Sequence, residues 1–288
     1  MFILAEKTHL NFFCVLTHAN ICKLKNIIRY TYTKGRKGFI MNLNGNTVLI
    51  TGGSNGIGLA LAERFLTAGS EVIICGRRQE KLAEAKEHFP ALHIKCCDVA
   101  NSEQRIDLFN WVTKEFPNTN VIVNNAGIQQ RVDLTDINKD WDYYKQELTI
   151  NLEAPIHLSM LFTPHLAKQA NPYIINVTSG LAFTPPVWVP VYGATKAGLH
   201  SFTFSLRLQL EGMGIGVVEV IPPAVNTDLG GVGQHTFGAP VDDFADTVFA
   251  GLQDGDIEIG YGYSLDSFRL TREEIEKNAA ATWERMKG

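Results

Sequence analysis

Tyr192 and Lys196 stand four residues apart, and Ser179 lies thirteen residues upstream at the end of an apolar run. Positions four apart share a helix face, so the Lys196 ammonium would sit beside the Tyr192 phenol and favour its ionised form. A tyrosine ordinarily titrates near ~10. A fixed cation, helped by a second one, would bring it toward the pH where general acid–base catalysis is most effective. These residue types therefore describe a group that exchanges a proton with a substrate hydroxyl. The same spacing also describes a packed ring beside a solvated amine, so the surrounding sequence has to decide between the two.

The elements around these residues follow a regular pattern. From Thr47 onward, short β-branched apolar runs alternate with longer amphipathic segments. Strands are expected at about 47–51, 71–75, 92–96, 120–124, 172–178 and 216–221, with a seventh near 257–260. Helices are expected at about 56–68, 79–88, 102–116, 140–169, 191–213, 241–253 and 271–286. This alternation predicts an α/β fold with a single Rossmann-type, doubly wound parallel sheet of about seven strands and helices on both faces. Ligands of such sheets bind outside the carboxyl ends of the strands, near the switch in strand order.

A glycine cluster falls at that place. Thr51-Gly52-Gly53-Ser54-Asn55-Gly56-Ile57-Gly58 follows the first strand and opens the first helix. Glycines let the turn tighten and the backbone approach a pyrophosphate, while the helix N-terminus offers free N–H groups and a positive dipole end. The spacing Gly52, Gly56, Gly58 differs from the usual dinucleotide fingerprint and resembles the variant of the short-chain dehydrogenase/reductase family. Other motifs in residues 45–260 carry the same resemblance. Asn124-Asn125-Ala126-Gly127 is similar to the family element that steadies the central sheet and borders the cofactor, and Asp98-Val99 to the pair that meets the adenine ring.

By that resemblance, Asn151, Ser179, Tyr192 and Lys196 are the catalytic tetrad. The resemblance also implies cofactor contacts from Gly52, Ser54, Asn55, Gly56, Ile57, Gly58, Asp98, Val99, Asn125, Ala126, Gly127, Tyr192, Lys196 and Thr227. Asp98 can equally be read as the cap of the helix that begins near Ser102. Within the tetrad, Tyr192 would be the acid or base, and Lys196 would lower its pKa and hold the nicotinamide ribose. Ser179 would bind the substrate oxygen, and Asn151 would help hold a relay water. Pro222-Pro223 departs from the family's Pro-Gly, which stiffens the backbone there and removes a donor.

The second strand ends Gly76-Arg77-Arg78, with no carboxylate to accept ribose hydroxyls. Arg77 could pair with a 2′-phosphate, so NADP (NADPH) is favoured over NAD. Pro222-Pro223-Ala224-Val225, the run Ser179 to Phe183 and the run His235 to Gly238 resemble a bacterial subgroup encoded beside genes for lipoteichoic-acid D-alanylation. That label describes gene neighbourhood and names no substrate. The substrate wall is expected after Ser179, after Gly127 and in the Gly-rich loop 228–240, a candidate lid, with Phe183, Val187, Trp188 and Phe237 apolar and Gln129 and His235 polar. Residues 180–195 hold no Arg or Lys, which favours a neutral alcohol or carbonyl as substrate.

Composition narrows the remaining classes. The chain has 288 residues, is 45% hydrophobic and carries a net charge of -4, enough for one sizeable core and no basic surface for nucleic acid. Its 5 cysteines show neither disulfide nor metal-ligand spacing, and no metal site is expected. A cytoplasmic protein with no stable membrane insertion is expected, and the family resemblance implies a homodimer or homotetramer.

Residues 1–40 differ from the rest, being rich in Lys, Ile, Phe and Tyr, with Glu6 their only acid. They read either as an amphipathic leader or, preferably, as an extension that is disordered or not part of the native product. Residues 41–288 would then form a single dinucleotide-binding domain with a C-terminal helix. Two functional readings remain: an alcohol–carbonyl oxidoreductase, or a nucleotide-binding sensor or scaffold in which turnover is incidental.

Overall fold

The computed structural model describes residues 38, 40–231, 233–267 and 269–287. Most of the N-terminal extension therefore lies outside the described residues. The Gly38 N–H donates to the Gly255 carbonyl at 2.7 Å, and Met41, 2% exposed, packs into the core.

Seven parallel strands run β1 (Thr47–Thr51), β2 (Glu71–Gly76), β3 (His93–Cys96), β4 (Val121–Asn124), β5 (Tyr173–Val177), β6 (Gly216–Ile221) and β7 (Glu258–Gly260). Their order in the sheet is β3-β2-β1-β4-β5-β6-β7, so the strand order reverses between β1 and β4. Helices cover both faces: α1 (Gly56–Thr67), α2 (Gln79–His88), α3 (Ser102–Glu115), α4 (Trp141–Leu148), α5 (Ala154–Leu166), α6 (Pro190–Leu210), α7 (Val241–Asp254), α8 (Ser264–Ser267) and α9 (Arg272–Lys287).

The strands form because both of their faces are buried. Val48 and Ile50 point into one core with Leu61, Phe65, Phe244 and Val248, while Leu49 points into the other with Leu108, Phe162 and Leu206. All three β1 residues have no exposure. Each contributes roughly 1.5–3 kcal/mol by leaving water, more than the spread of strand propensities. This two-sided burial explains why the strands read as continuous apolar runs.

Two details differ from the sequence expectation. The helix expected at 140–169 is interrupted by a π turn at Thr149–Glu153, which joins α4 to α5 and contains Asn151. The four-residue α8 after β7 was not expected, being too short to show a periodic pattern.

Candidate active site

The glycine turn sits at the switch between β1 and β4, where connections diverge to either side and a crevice opens at the carboxyl ends of the parallel strands. Gly52 (φ 64°) and Gly56 (φ 55°) occupy left-handed backbone that other residues adopt at a cost. A Cβ on Gly58 would lie 2.4 Å from both Asn125 Nδ2 and the Gly52 carbonyl oxygen, so α1 approaches β4 only without a side chain there. Thr51 Oγ1 accepts the Asn125 and Ala126 amides, each at 3.0 Å, and Asn125 Nδ2 donates to the Thr51 and Gly52 carbonyls at 2.9 and 3.2 Å. Asn55 caps α1 through the Gly56 amide at 2.8 Å and reaches Asp228 at 3.1 Å. Ser54 borders Gly76, and the Thr227 methyl lies against Gly56. These residues fit a dinucleotide: the cradle consists of backbone N–H groups at a helix N-terminus, made accessible by missing side chains.

Beyond this turn, the expected adenosine contacts separate. Arg78 lines the cleft, whereas Arg77 is exposed and its carbonyl accepts the Cys96 thiol. Asp98 accepts the Ala100 amide at 3.0 Å, while Asn101 caps α3. Val99 is buried, and its carbonyl is held by Arg105 at 2.8 Å.

The other end of the cleft gathers ionisable side chains. Asn151, Ser179, Tyr192 and Lys196 are all buried. Ser179 follows β5 and caps the turn Gly180–Ala182, with its Oγ accepting the Leu181 amide at 3.1 Å. Its hydroxyl also faces the Tyr192 phenol and favours the ionised form of that phenol. Lys196, one turn along α6, donates to the Val177 carbonyl at 2.8 Å, with its Nζ 5.7 Å from the centre of the Tyr192 ring.

The electrostatics correct a sequence expectation. Burial pushes the Tyr192 phenol well above its ordinary value, with smaller raising effects from Glu147 and Tyr263, and the Ser179 hydrogen bond only partly opposes this. Lys196 is not among the groups that shift the phenol, so its ammonium does not bring the phenol down in the protein alone. Burial also lowers Lys196 itself, to about 8, against the opposing charge of Glu147. The Asn151 side chain is fully engaged: Oδ1 accepts the Ile128 amide at 2.9 Å, and Nδ2 donates to the Ile128 carbonyl at 2.8 Å and to Thr195 at 3.3 Å. It thereby pins the segment after β4 beside Lys196.

A cleft of about 1300 Å³ joins the two ends. That is larger than the ordinary ~300–1,000 Å³ of a small-molecule pocket and leaves room for a dinucleotide with a second molecule. Leu181, Pro186, Trp188 and Phe237 form its apolar wall, with Gln129 and His235 also at its edge. Phe183 instead packs on the His200 ring at 4.5 Å and does not border the cleft, nor does Val187. Arg131, outside the cation-free stretch 180–195, does border it. The loop 228–240 contributes to the wall, and a Val225–Ala239 bridge ties its two flanks together.

Sequence reasoning missed Glu147, which has no exposure and whose Oε1 accepts the Gln130 amide at 2.7 Å. The available signal was its position one helical turn before Asn151, on the same face of α4 as the buried Tyr144. Among the described residues, no group of three or more His, Cys, Asp or Glu is arranged to hold a metal ion, and no helix is long and apolar enough to cross a membrane.

The short chain dehydrogenase family model matches residues 46–235. The uncharacterized oxidoreductase DltE of Bacillus subtilis is 54% identical over 189 residues, which cover 66% of this chain and 75% of that protein. The NADP-dependent 3-hydroxy acid dehydrogenase YdfG of Escherichia coli is 31% identical over 182 residues, 62% of this chain and 72% of that one. Among solved structures, a short chain dehydrogenase/reductase from Burkholderia phymatum in complex with NAD superposes with a TM-score of 0.74 at 21% identity, covering 83% of this chain and 96% of its own. A short-chain dehydrogenase from Sphingobium yanoikuyae in complex with NADPH gives 0.69 at 24% identity, covering 81% and 96%.

Proposed function

Because this chain belongs to the short-chain dehydrogenase/reductase family, among its DltE-like oxidoreductases, we propose that it interconverts a small alcohol and the corresponding carbonyl, with NADP preferred over NAD. The observation that carries this reading is the buried Ser179–Tyr192–Lys196 constellation on the cleft that also holds the glycine turn.

A bound nicotinamide dinucleotide would carry the hydride in either direction. The chain's own residues manage the proton. In carbonyl reduction, Tyr192 donates its phenolic proton to the developing alkoxide, and its raised pKa keeps that proton in place at neutral pH. In alcohol oxidation it must act as phenolate, which requires the Lys196 charge together with that of an oxidised nicotinamide. The Ser179 and Tyr192 hydroxyls adjoin, so one substrate oxygen can meet both and have its charge stabilised as it develops. Lys196 is anchored through a single N–H to Val177, leaving two N–H groups for a ribose and a relay water. Asn151 sits in the π turn, where the extra residue leaves the regular helical ladder and can offer a main-chain carbonyl to that water.

The NADP preference rests on Gly76-Arg77-Arg78, which carries no carboxylate to repel a 2′-phosphate, and on Arg78 at the cleft edge. Adenosine contacts from Asp98 and Val99 belong to the same proposal. The 31% identity to an NADP-dependent dehydrogenase supports it. We place the enzyme in the cytoplasm, and exposed Met160 on α5 and Phe204 and Leu208 on α6 support its assembly as a homodimer or homotetramer.

The deciding experiment is a panel of aliphatic, aromatic and hydroxy-acid alcohols and carbonyls assayed with NADH and NADPH. Turnover with higher kcat/KM for NADPH is expected. Dinucleotide binding with no turnover across the panel would leave the sensor reading in its place.

A further inference from the structure

Glu147 is the charged group for which the proposed mechanism has no use. It lies on α4 with no exposure, and while Oε1 holds the Gln130 amide, Oε2 has no hydrogen-bond partner among the described residues. Leaving half of a buried carboxyl unsatisfied is costly. Accepting one backbone N–H does not explain the choice, since a neutral amide oxygen would serve as well.

The groups that face it identify another task. α6 packs against α4 and presents Lys196 and Tyr192, and Glu147 acts electrostatically on both. Lys196 is the positive charge that acts on Glu147 in return. The segment after β4 contributes backbone and the Gln130 side chain, with Arg131 exposed at its end. The π turn contributes Asn151, whose amide is already engaged, and on α4 itself Tyr143 and Tyr144 are the neighbouring titratable groups, with Lys145 exposed. Gly127 shows how tightly these parts meet: a Cβ there would lie 3.4 Å from Asn151 Oδ1 and 3.7 Å from Lys196 Nζ. No direct hydrogen bond joins Glu147 Oε2 to Lys196, so a proton exchanged between them needs a bridging water.

Building on the oxidoreductase reading, we infer that Glu147 holds the proton that passes through Lys196, exchanging it with the Tyr192–Lys196 pair across a water and with the cleft beside Gln130. In alcohol oxidation the substrate O–H bond breaks and its proton moves to the Tyr192 phenolate. Tyr192 passes a proton to Lys196 as the Lys196 ammonium releases one to the Glu147 carboxylate. Tyr192 ends again as phenolate, Lys196 as ammonium and Glu147 as the acid, so one proton has moved and charge balances. Reduction runs the same transfers backward. Burial raises the Glu147 carboxyl to about 7, against lowering by the Gln130 amide and by Lys196, while Lys196 is brought down to about 8. The two groups are thus matched closely enough to exchange a proton near neutrality.

The test uses the full chain. In protein labelled with 13C-carboxyl glutamate, one carboxyl resonance should titrate near 7, be absent from Glu147→Gln and move upward in Lys196→Met. A Glu147 midpoint in the ordinary carboxylate range, or one unmoved by Lys196→Met, would overturn the inference. Oxidation of 4-nitrobenzyl alcohol with NADP+ adds a kinetic arm. Glu147→Gln should lower kcat about tenfold and remove the limb near neutral pH while leaving KM for NADP+ unchanged, and Glu147→Asp should restore part of the loss. An unchanged kcat and pH profile in Glu147→Gln would refute the relay. If neither the wild-type chain with this alcohol nor the wider panel gives turnover, the oxidoreductase reading falls, and the carboxyl titration alone decides whether Glu147 and Lys196 share a proton.

Discussion

The two ends of the cleft prepare for their ligands by opposite means. At the β1 end, the surface is shaped by what is missing: Gly52, Gly56 and Gly58 remove side chains so that backbone N–H groups and a helix terminus stand exposed. At the β5–α6 end, side chains bearing hydroxyls and charges are packed with little of their own surface exposed. The first region should therefore be intolerant of added volume and the second intolerant of lost functional atoms. Binding and turnover then become separable by substitution, even within one continuous cavity.

The largest separation should come from Tyr192→Phe, which removes one oxygen and leaves the packing of α6 intact. We expect kcat to fall by about 10³-fold or more, with the dinucleotide Kd changed by no more than about twofold in a fluorescence titration. A variant that kept a tenth of wild-type turnover would erase the contrast. The reciprocal change is Gly58→Ala, whose Cβ would meet backbone and Asn125 at 2.4 Å. Dinucleotide Kd measured by calorimetry should rise about a hundredfold, with a lower Tm, because the α1–β4 contact must open. Next in size, Arg78→Ala should reduce kcat/KM for NADPH about tenfold and leave NADH within about twofold. Running Arg77→Ala in parallel shows which guanidinium meets the 2′-phosphate.

One expected effect is a gain in stability. Glu147 has a folded-state pKa of about 7, above its ordinary unfolded value of ~4.3. Its favourable contribution is complete below the unfolded value and is lost as pH rises through the folded one. Glu147→Gln should therefore be more stable than the wild type at pH ~8.5 by about 3–4 kcal/mol, or about 10 °C in Tm, with the difference closing below pH ~4. Scanning calorimetry across that range checks the sign. A uniform loss at every pH would mean that the Lys196 interaction outweighs the burial cost.

The β1 end was far more legible from sequence than the β5–α6 end. Glycine spacing after an apolar run states a backbone geometry directly, and Val48-Leu49-Ile50 could be placed because burial on both faces demands such a run. At the β5–α6 end, type and spacing left Ser179, Tyr192 and Lys196 open between a proton-transfer site and a packed ring beside an amine, and the family resemblance supplied their expected roles. The direction in which Tyr192 shifts could not be read, because spacing reports neighbours while desolvation depends on everything packed around the ring. Glu147 was hidden in the polar run Lys145-Gln146-Glu147, although Tyr144 and Asn151 mark its face as the buried one. The sequence favours Arg77 for the 2′-phosphate, whereas Arg78 is the one of the two that lines the cleft, because the turn after β2 has no periodicity from which to read which one faces inward.

The π turn at Thr149–Glu153 carries one residue more than a regular helix would use. A helix advances about 100° per residue, so deleting a single residue there would leave two good helices, the sheet, Ser179, Tyr192 and Lys196, yet swing the whole of Trp141–Leu148 about a quarter-turn around its axis. Glu147 would then point elsewhere, and its hold on Gln130 would be broken. The placement of Glu147 against Gln130 is thus encoded in residue count, as the pitch of a thread sets where a screw stops, and exchanging residue types in the turn would leave that count unchanged.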